Sequence, residues 1–201
     1  MEIKLNLKIE NLFGGDGILR YIEEKQVKFI RKKSKKTTKQ NTGVSSENAI
    51  GEEQSEIVKR EIQTFKFENG NPTYRLGGIH GKLWGHLRAS GKMLADLGEL
   101  DSKAGVDRMM MSINLTPINV IITDFKPIQI AEIPQITAGM NKALIIQKFD
   151  YIPECKIEMT IKFPDMYKEQ VLKILRYSEE LAGMNKRRAT LTILNKEEIF
   201  K

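Results

Sequence analysis

The sequence predicts an α+β fold of the ferredoxin-like (RRM-like) type, in which an antiparallel sheet carries two helices on one face. The first ten residues alternate apolar and polar side chains, which is typical of a half-buried strand. Two later segments, about residues 79–97 and 164–183, have apolar residues at helical spacing. Strand-like segments lie between and after these helices, so the predicted order is strand, helix, strands, strand, helix, strand.

The N-terminal strand is predicted to bury one side, because neighbouring side chains of a strand point in opposite directions. Its predicted core-facing residues are Ile3, Leu5, Leu7 and Ile9. The strand is followed by NLFGGDG, in which three glycines and Asp16 indicate an irregular turn.

An insertion of weak regularity is predicted from about residue 14 to residue 70, within a single domain of residues 1–201. Residues 25–39 contain eight Lys or Arg and no acid, and subtracting these eight from the net charge of +7 leaves −1. This concentration favours a nucleic-acid-binding arm over a solubilising loop, because a polyanion would neutralise the self-repulsion of the run. The predicted RNA-binding residues of this run are Arg31, Lys32, Lys33, Lys35 and Lys36.

The stretch NPTYRLGGIHGKLWGHLRASGKML, residues 71–94, has the composition of a phosphate-binding loop. A nucleotide-binding P-loop would need glycine at Leu76 and Ser or Thr at Leu83, so that class of site is disfavoured. Glycines still let the backbone approach an anion, and a helix beginning near Ile79 would offer N–H groups and a positive dipole end. A polyanion site and a glycine-rich turn that packs a helix on a sheet are equally compatible with this stretch. The candidate contacts are Gly78, His80, Gly81 and Lys82.

The helix of about residues 79–97 is predicted to bury Leu83, Leu87, Met93, Leu94 and Leu97. Lys82, His86 and Arg88 are predicted near its start or outside, and Arg88 is a further RNA-binding candidate. Trp84 could stack on a base, although a single Trp in a helix is more often a core residue.

Residues 112–125 suggest a pair of buried strands, and the segment of about residues 125–141 is predicted to form a protruding apolar hairpin. Residues 143–163 are interpreted as two strands around a turn at Ile152–Glu154. Alternation in the second of these strands predicts that Cys155 is a core residue and not a nucleophile.

The second helix is predicted to begin at Pro164 and Asp165, with Asp165 as its N-cap, and to end at Gly183. Its predicted buried side consists of Val171, Ile174, Leu175 and Leu181. A basic turn follows before a last strand, ATLTIL, and three consecutive cations exceed what a helix C-terminus needs. Lys186, Arg187 and Arg188 are therefore candidate RNA-binding residues.

Composition narrows the class of protein. The chain has 201 residues, 40% of them hydrophobic, which is enough for a substantial core. One cysteine and two histidines offer no disulfide framework and no zinc-ligand spacing, so neither a structural metal nor another cofactor is expected. No apolar run is long enough to span a membrane, and the N-terminus has no signal-peptide core, which predicts a cytoplasmic protein without a membrane partner.

Four stretches, in order and at similar spacing, resemble the repeat-associated (RAMP) superfamily, and within it the type III and type I backbone subunits that polymerise along guide RNA in CRISPR effector complexes. They are PTYRLGGIHGKLWGHLR, NVIITDFKPI, ITAGMNKALIIQKFDYIPECKIEMTIKF and LRYSEELAGMNKRRATLTIL. The resemblance covers about residues 1–13 and 70–195 and leaves the basic insertion unmatched. The chain departs from the family in being short and in keeping only Gly183 of a usual glycine-rich loop.

This resemblance implies a guide-RNA (crRNA) binding subunit whose partners are the guide, its complementary target, copies of itself and other effector subunits. It also implies that the loop and helix start near Gly81 face the RNA backbone and that the hairpin of about residues 125–141 is the family's thumb. Asp16 could correspond to the catalytic aspartate of type III members, which would involve Mg²⁺, but Asp is also an ordinary turn residue beside Gly.

Two other functions stay open at this point. One is a metal-dependent endoribonuclease that uses Asp16 or His80, although His80 is better suited to contacting RNA. The other is a stand-alone, virus-encoded homologue that binds crRNA or an effector competitively.

Overall fold

A computed structural model describes residues 1–15, 18–30, 52–136, 144–181 and 189–201 and confirms the α+β class. Asp16, the basic residues 31–36 and the basic turn 184–188 lie outside these described residues. The strands are β1 (Glu2–Phe13), β2 (Leu19–Ile30), β3 (Glu52–Gln63), β4 (Lys66–Glu68), β5 (Asn71–Arg75), β6 (Asn114–Thr116), β7 (Asn119–Ile121), β8 (Asp124–Phe125), β9 (Gln129–Ile136), β10 (Leu144–Lys162) and β11 (Thr190–Ile193). The helices are α1 (Lys82–Asp96), α2 (Lys103–Met111), α3 (Lys168–Glu180) and α4 (Lys196–Ile199).

The chain divides into two compact units. One consists of Met1–Leu19 and Gln63–Lys201, and the other of Arg20–Ile62. The second unit contains most of β2 and β3, which are hydrogen-bonded neighbours of 12 residues each. Among the described residues of the segment 14–70, the predicted weak regularity was wrong for residues 19–30 and 52–63, which form these strands although many of their side chains are charged.

The main sheet of the larger unit is organised around β1 and β10. β1 lies between β11 and β10 and pairs antiparallel with both, with Leu7 opposite Ile193 on one side and Ile157 on the other. β6, β8 and β9 pair antiparallel with successive parts of β10. The predicted core face of β1 is confirmed, since all four of its apolar positions, Ile3, Leu5, Leu7 and Ile9, are buried.

The helices complete the core. α1 packs against α2 and α3, and Trp84 is a core residue whose indole N–H donates to the carbonyl oxygen of Met110 (3.0 Å). Leu83, Leu87 and Leu94 are buried as predicted, whereas Met93 and Leu97 are 45% and 65% exposed. The prediction was wrong for these two residues because one is rotated off the apolar stripe and the other is the C-cap of the helix.

The turn predicted at Ile152–Glu154 does not exist, because β10 runs without a break through these residues. Pro153 has no N–H to donate, but pairing with β1 continues on both sides of it, at Ile152 and at Glu154. The β1 residue between these pairs, Asn11, has a φ of 56°. Such a local distortion lets a strand continue past a proline. Cys155 is buried as predicted, and burial raises the pKa of its thiol to about 12.

β9 and the first part of β10 form an antiparallel hairpin in the region predicted as the thumb. Its pairs extend from Gln129 opposite Tyr151 to Ile136 opposite Leu144, so the two arms reach beyond the predicted segment of about residues 125–141 on the β10 side. Ile130 and Ile146 expose about half of their surface or more.

Asp165 does not cap the second helix. It begins a 3-10 turn, Asp165–Tyr167, that precedes α3, and its carboxylate pairs with the amino group of Met1 at 2.8 Å. That ammonium lowers the pKa of the Asp165 carboxyl. The predicted burial of Val171, Ile174 and Leu175 is confirmed, whereas Leu181 is only partly buried.

In β11, predicted from ATLTIL, a side chain occupies one N–H of the outer edge. The backbone N–H of Ile193 donates to Glu179 at 2.7 Å, and the other carboxylate oxygen of Glu179 pairs with Lys196 at 2.9 Å. In the described part of the chain, no helix is both long and apolar enough to cross a membrane.

Candidate nucleic-acid interface

A small sheet beside the start of α1 provides one wall of the candidate site. β5 pairs antiparallel with β4 and β7, and β4 turns into β5 through Asn69 and Gly70, whose φ angles of 51° and 80° suit an Asn-Gly hairpin turn. Residues 112–125 therefore do not form the predicted strand pair, because β6 joins the main sheet and β7 joins this one.

The two faces of the small sheet differ in chemistry. Pro72, Tyr74 and Val120 are buried on the side of the core. The opposite face carries the exposed residues Lys66, Glu68, Arg75, Asn119 and Ile121, together with Thr73, which is buried. Strand alternation therefore gives a largely polar surface with two cations and one apolar residue.

This polar face opens into a cleft of about 450 Å³. His80 and Lys82 line it from the start of α1, and Gly15 lines it from the loop that follows β1. Three cations, Lys66, Arg75 and Lys82, and one carboxylate, Glu68, give the described lining a formal charge of +2 with His80 neutral. Clefts lined by one predominant sign of charge concentrate counter-ions, so this cleft attracts anions.

The glycines of the 71–94 stretch make close backbone contacts within the protein. The N–H groups of Gly77 and Gly78 donate to the carbonyl oxygens of Ile118 and Leu115, and that of Gly81 donates to Gly78. A Cβ atom at Gly77 would lie 2.3 Å from the carbonyl oxygen of Pro117, and one at Gly81 would lie 2.2 Å from that of Gly77. These contacts favour the turn interpretation for the glycines, because their amides are already used.

The helix also begins later than predicted, at Lys82 instead of near Ile79, with Gly81 as its N-cap. The N–H of Leu83 donates back to the carbonyl oxygen of Leu76 at 3.1 Å, which uses one more amide of the first turn. The anion-attracting groups at this end of α1 are therefore side chains more than backbone N–H groups.

His80 and His86 occupy opposite sides of the stretch. His80 lines the cleft with a left-handed backbone, φ 70°, which few residues other than glycine adopt. His86 is buried, contrary to its predicted position outside, and its Nε2–H donates to the carbonyl oxygen of Ser178 at 2.8 Å. Burial lowers the pKa of His86, and the hydrogen bond to Ser178 opposes this only in part.

Arg88 is not among the residues that line the cleft. Its guanidinium pairs with Asp107 at 2.7 Å and lies 5.5 Å from the centre of the Trp84 ring. Arg88, helped by Lys92, lowers the pKa of the Asp107 carboxyl to about 2. Arg88 thus has partners within the protein, the Asp107 carboxylate and the Trp84 ring.

A buried polar contact holds the two chain segments that border the cleft. The hydroxyl of Thr64 donates to the carboxylate of Asp150 at 2.6 Å, and the carbonyl oxygen of Asp150 accepts from the N–H of Gly14 at 2.8 Å. A Cβ at Gly14 would lie 2.6 Å from the backbone of Thr64. The loop that carries Gly15 is thereby fixed against the segment that enters β4.

The open face of the main sheet has a different character. Lys8 pairs with Glu10 at 2.7 Å and with Glu154 at 3.3 Å, and Lys126 also pairs with Glu154. The Lys8 ammonium lowers the pKa of both carboxyls. Since its charges neutralise one another, this face attracts a polyanion less than the cleft does.

Sequence reasoning placed His80 and Lys82 in the site and missed Lys66, Glu68, Arg75 and Asn119. The Asn69-Gly70 pair, between two short alternating segments, is a strong hairpin signal that would have found β4 and β5. Asn119 could not have been found in this way, because only the pairing of β7 with β5 places it beside Arg75.

The described ranges contain no group of three or more His, Cys, Asp or Glu side chains that could hold a metal ion. The Mg²⁺ prediction depends on Asp16, which is outside those ranges. Comparisons of the chain with protein-family models, with curated proteins and with solved structures found no significant match.

Proposed function

We propose that the protein binds single-stranded RNA through the phosphate backbone, as a guide-RNA-binding subunit of a CRISPR-type effector complex. The observation that carries this proposal is the cleft at the start of α1, where Lys66, Arg75, His80 and Lys82 converge from three elements. Phosphate contacts dominate the affinity of nucleic-acid-binding proteins and need cations more than a particular base sequence.

A segment that supplies three of these four residues also carries the proposed family resemblance. PTYRLGGIHGKLWGHLR contains most of β5, the glycine turn and the start of α1, and so contributes Arg75, His80 and Lys82 to the cleft, whereas Lys66 precedes it. The pairing of β1 with β11 and β10, and of β6 with the end of β10, supports the proposed ferredoxin-like assignment, because β1, β6, β10 and β11 then correspond to the first, second, third and fourth strands of that fold. The β9–β10 hairpin supports the proposed thumb.

We also propose that the basic residues at 31–36 and at 186–188 contact RNA, and that copies of the protein bind successive segments of one guide. These residues are proposed from their charge and position in the sequence alone.

The test is RNA binding by the double variant Arg75→Ala/Lys82→Ala, measured by fluorescence anisotropy over a range of salt concentrations. Each phosphate contact contributes roughly 0.7 to the salt slope for single strands, so the loss of two contacts should flatten the slope by about 1.4. Lys168→Ala is the matched control, because Lys168 is an exposed cation at the start of α3 and away from the cleft.

A double variant that is folded and binds RNA with unchanged affinity and slope contradicts the proposal. The RNA is also analysed for cleavage in the presence and absence of Mg²⁺. Metal-dependent products that disappear in Asp16→Asn would favour the endoribonuclease function instead. Sequencing the RNA that copurifies with the protein tests the guide assignment itself.

A further inference from the structure

We infer that the cleft reads a base of the bound RNA as well as its backbone, and that Glu68 makes the cleft selective for guanine. This inference rests on the proposed RNA binding and concerns the same cleft. Its starting observation is a carboxylate among the three cations of an anion-attracting site.

Glu68 has neither an ion-pair nor a hydrogen-bond partner for its side chain among the described residues. Two partly buried acids with cations nearby behave differently, since Asp107 pairs with Arg88 and Lys92, and Glu154 pairs with Lys8 and Lys126. A carboxylate beside phosphate-binding cations weakens phosphate binding through repulsion. It is compatible with RNA binding when it accepts hydrogen bonds from another part of the nucleotide.

The order of the side chains along the small sheet separates two ends of the cleft. Glu68 lies opposite Asn71, at the hairpin turn, while Arg75 lies four residues further along β5, next to the turn that leads to His80 and Lys82. At roughly 3.3 Å per residue these positions are about 13 Å apart. Lys66 lies two residues from Glu68 on the same face of β4. The end with Arg75, His80 and Lys82 therefore suits phosphate, and the other end offers a carboxylate acceptor for N–H donors beside one cation.

Among the four RNA bases, guanine matches the acceptor end best. The Watson–Crick edges of single-stranded RNA are free for recognition, and a carboxylate has two oxygens that can accept two parallel hydrogen bonds. Guanine presents two adjacent donors, N1–H and the N2 amino group. Adenine and cytosine place an acceptor nitrogen beside their amino group, and uracil places carbonyl oxygens on both sides of its single N–H, so each of them repels a carboxylate.

The experiment measures dissociation constants for oligoadenylate RNAs of about 12 nucleotides, which is within the range of one binding site. One RNA is all adenosine, and the others carry a single central guanosine, inosine, cytidine or uridine. Wild type is compared with Glu68→Gln and with Glu169→Gln, which removes an unpaired, exposed acid at the start of α3.

We expect wild type to bind the guanosine RNA at least about fivefold more tightly than the all-adenosine RNA, with inosine intermediate because it lacks the amino group. Glu68→Gln should lose this preference and bind the all-adenosine RNA more tightly than wild type does, because the repulsion is gone and glutamine pairs well with adenine. Glu169→Gln should behave like wild type.

Wild type that binds all five RNAs with equal affinity overturns the guanine inference and leaves RNA binding intact. The same holds if Glu68→Gln keeps the guanosine preference. If wild type binds none of the RNAs, the proposed function fails and the inference fails with it.

Discussion

Residues 71–94 have an inner side, which packs against the rest of the protein, and an outer side, which lines the cleft. On the inner side, Gly77 and Gly81 have no room for a Cβ atom and His86 is buried, so substitutions at these positions should disturb the packing. On the outer side, Arg75 and Lys82 line an open cleft. A glycine-rich segment beside basic residues is therefore not necessarily a phosphate-binding loop. Its backbone N–H groups can already be hydrogen-bonded to carbonyl oxygens of the protein.

The largest expected effect is on the free energy of unfolding, and it concerns the glycines of the inner side. Gly81→Ala should lower the free energy of unfolding by about 3 kcal/mol, because the new Cβ would press on the carbonyl oxygens of Leu76 and Gly77 at 2.3 and 2.2 Å. Gly85→Ala, four residues later in α1, has open space around its Cβ and should raise stability by about 0.5–1 kcal/mol. Urea unfolding of both variants measures the contrast. Equal stabilities would show that the turn is not closely packed.

The next effect concerns pH and the buried histidine. Burial favours neutral His86 in the folded protein, so its folded pKa lies below the unfolded value of about 6.5. The resulting stability is present above pH 6.5 and is lost as the pH falls from there through the folded pKa, by at most about 1.4 kcal/mol per pH unit. Asp107, with a pKa of about 2, stays ionised in this window.

Unfolding free energies of wild type and His86→Gln between pH 7.5 and about 5 test this effect. The variant keeps a side-chain N–H for Ser178 and should lack the pH-dependent loss. A His86→Gln protein with the same pH dependence as wild type would assign the loss to another group.

The smallest expected effects come from substituting two cations of α1, Lys82 and Arg88. They test whether only the residues that line the cleft contact RNA. Lys82→Ala should weaken RNA binding roughly threefold at low salt, because one phosphate contact is removed from the cleft. Arg88→Ala should leave RNA affinity unchanged and cost about 1 kcal/mol of stability, since its ion pair with Asp107 is partly exposed to solvent. A larger loss of RNA affinity in Arg88→Ala would extend the interface beyond the cleft.

The elements with strong periodicity could be predicted from the sequence. β1, α1 and β11 are where alternation or helical spacing placed them, because each buries a regular apolar face. β10 was divided into two strands at Pro153, because the accommodation of a proline depends on Asn11 of the partner strand, 142 residues away in the sequence.

The candidate site was predictable only where its residues are consecutive in the chain. His80 and Lys82 are in one motif, whereas Lys66, Arg75 and Asn119 meet through the register of a three-stranded sheet. The prediction placed His86 outside, but its side chain contacts Ser178 of α3. A shift of one residue along a helix is enough to move a side chain from the exposed face to the buried face.

The contact of Glu179 with the outer edge of β11 has a consequence for aggregation. An exposed edge strand is a template for pairing with any other strand, and a charged side chain that occupies its N–H groups blocks this pairing. Because Glu179 accepts from the N–H of Ile193 and is itself neutralised by Lys196, another strand cannot pair with β11 at Ile193 without displacing the Glu179 carboxylate.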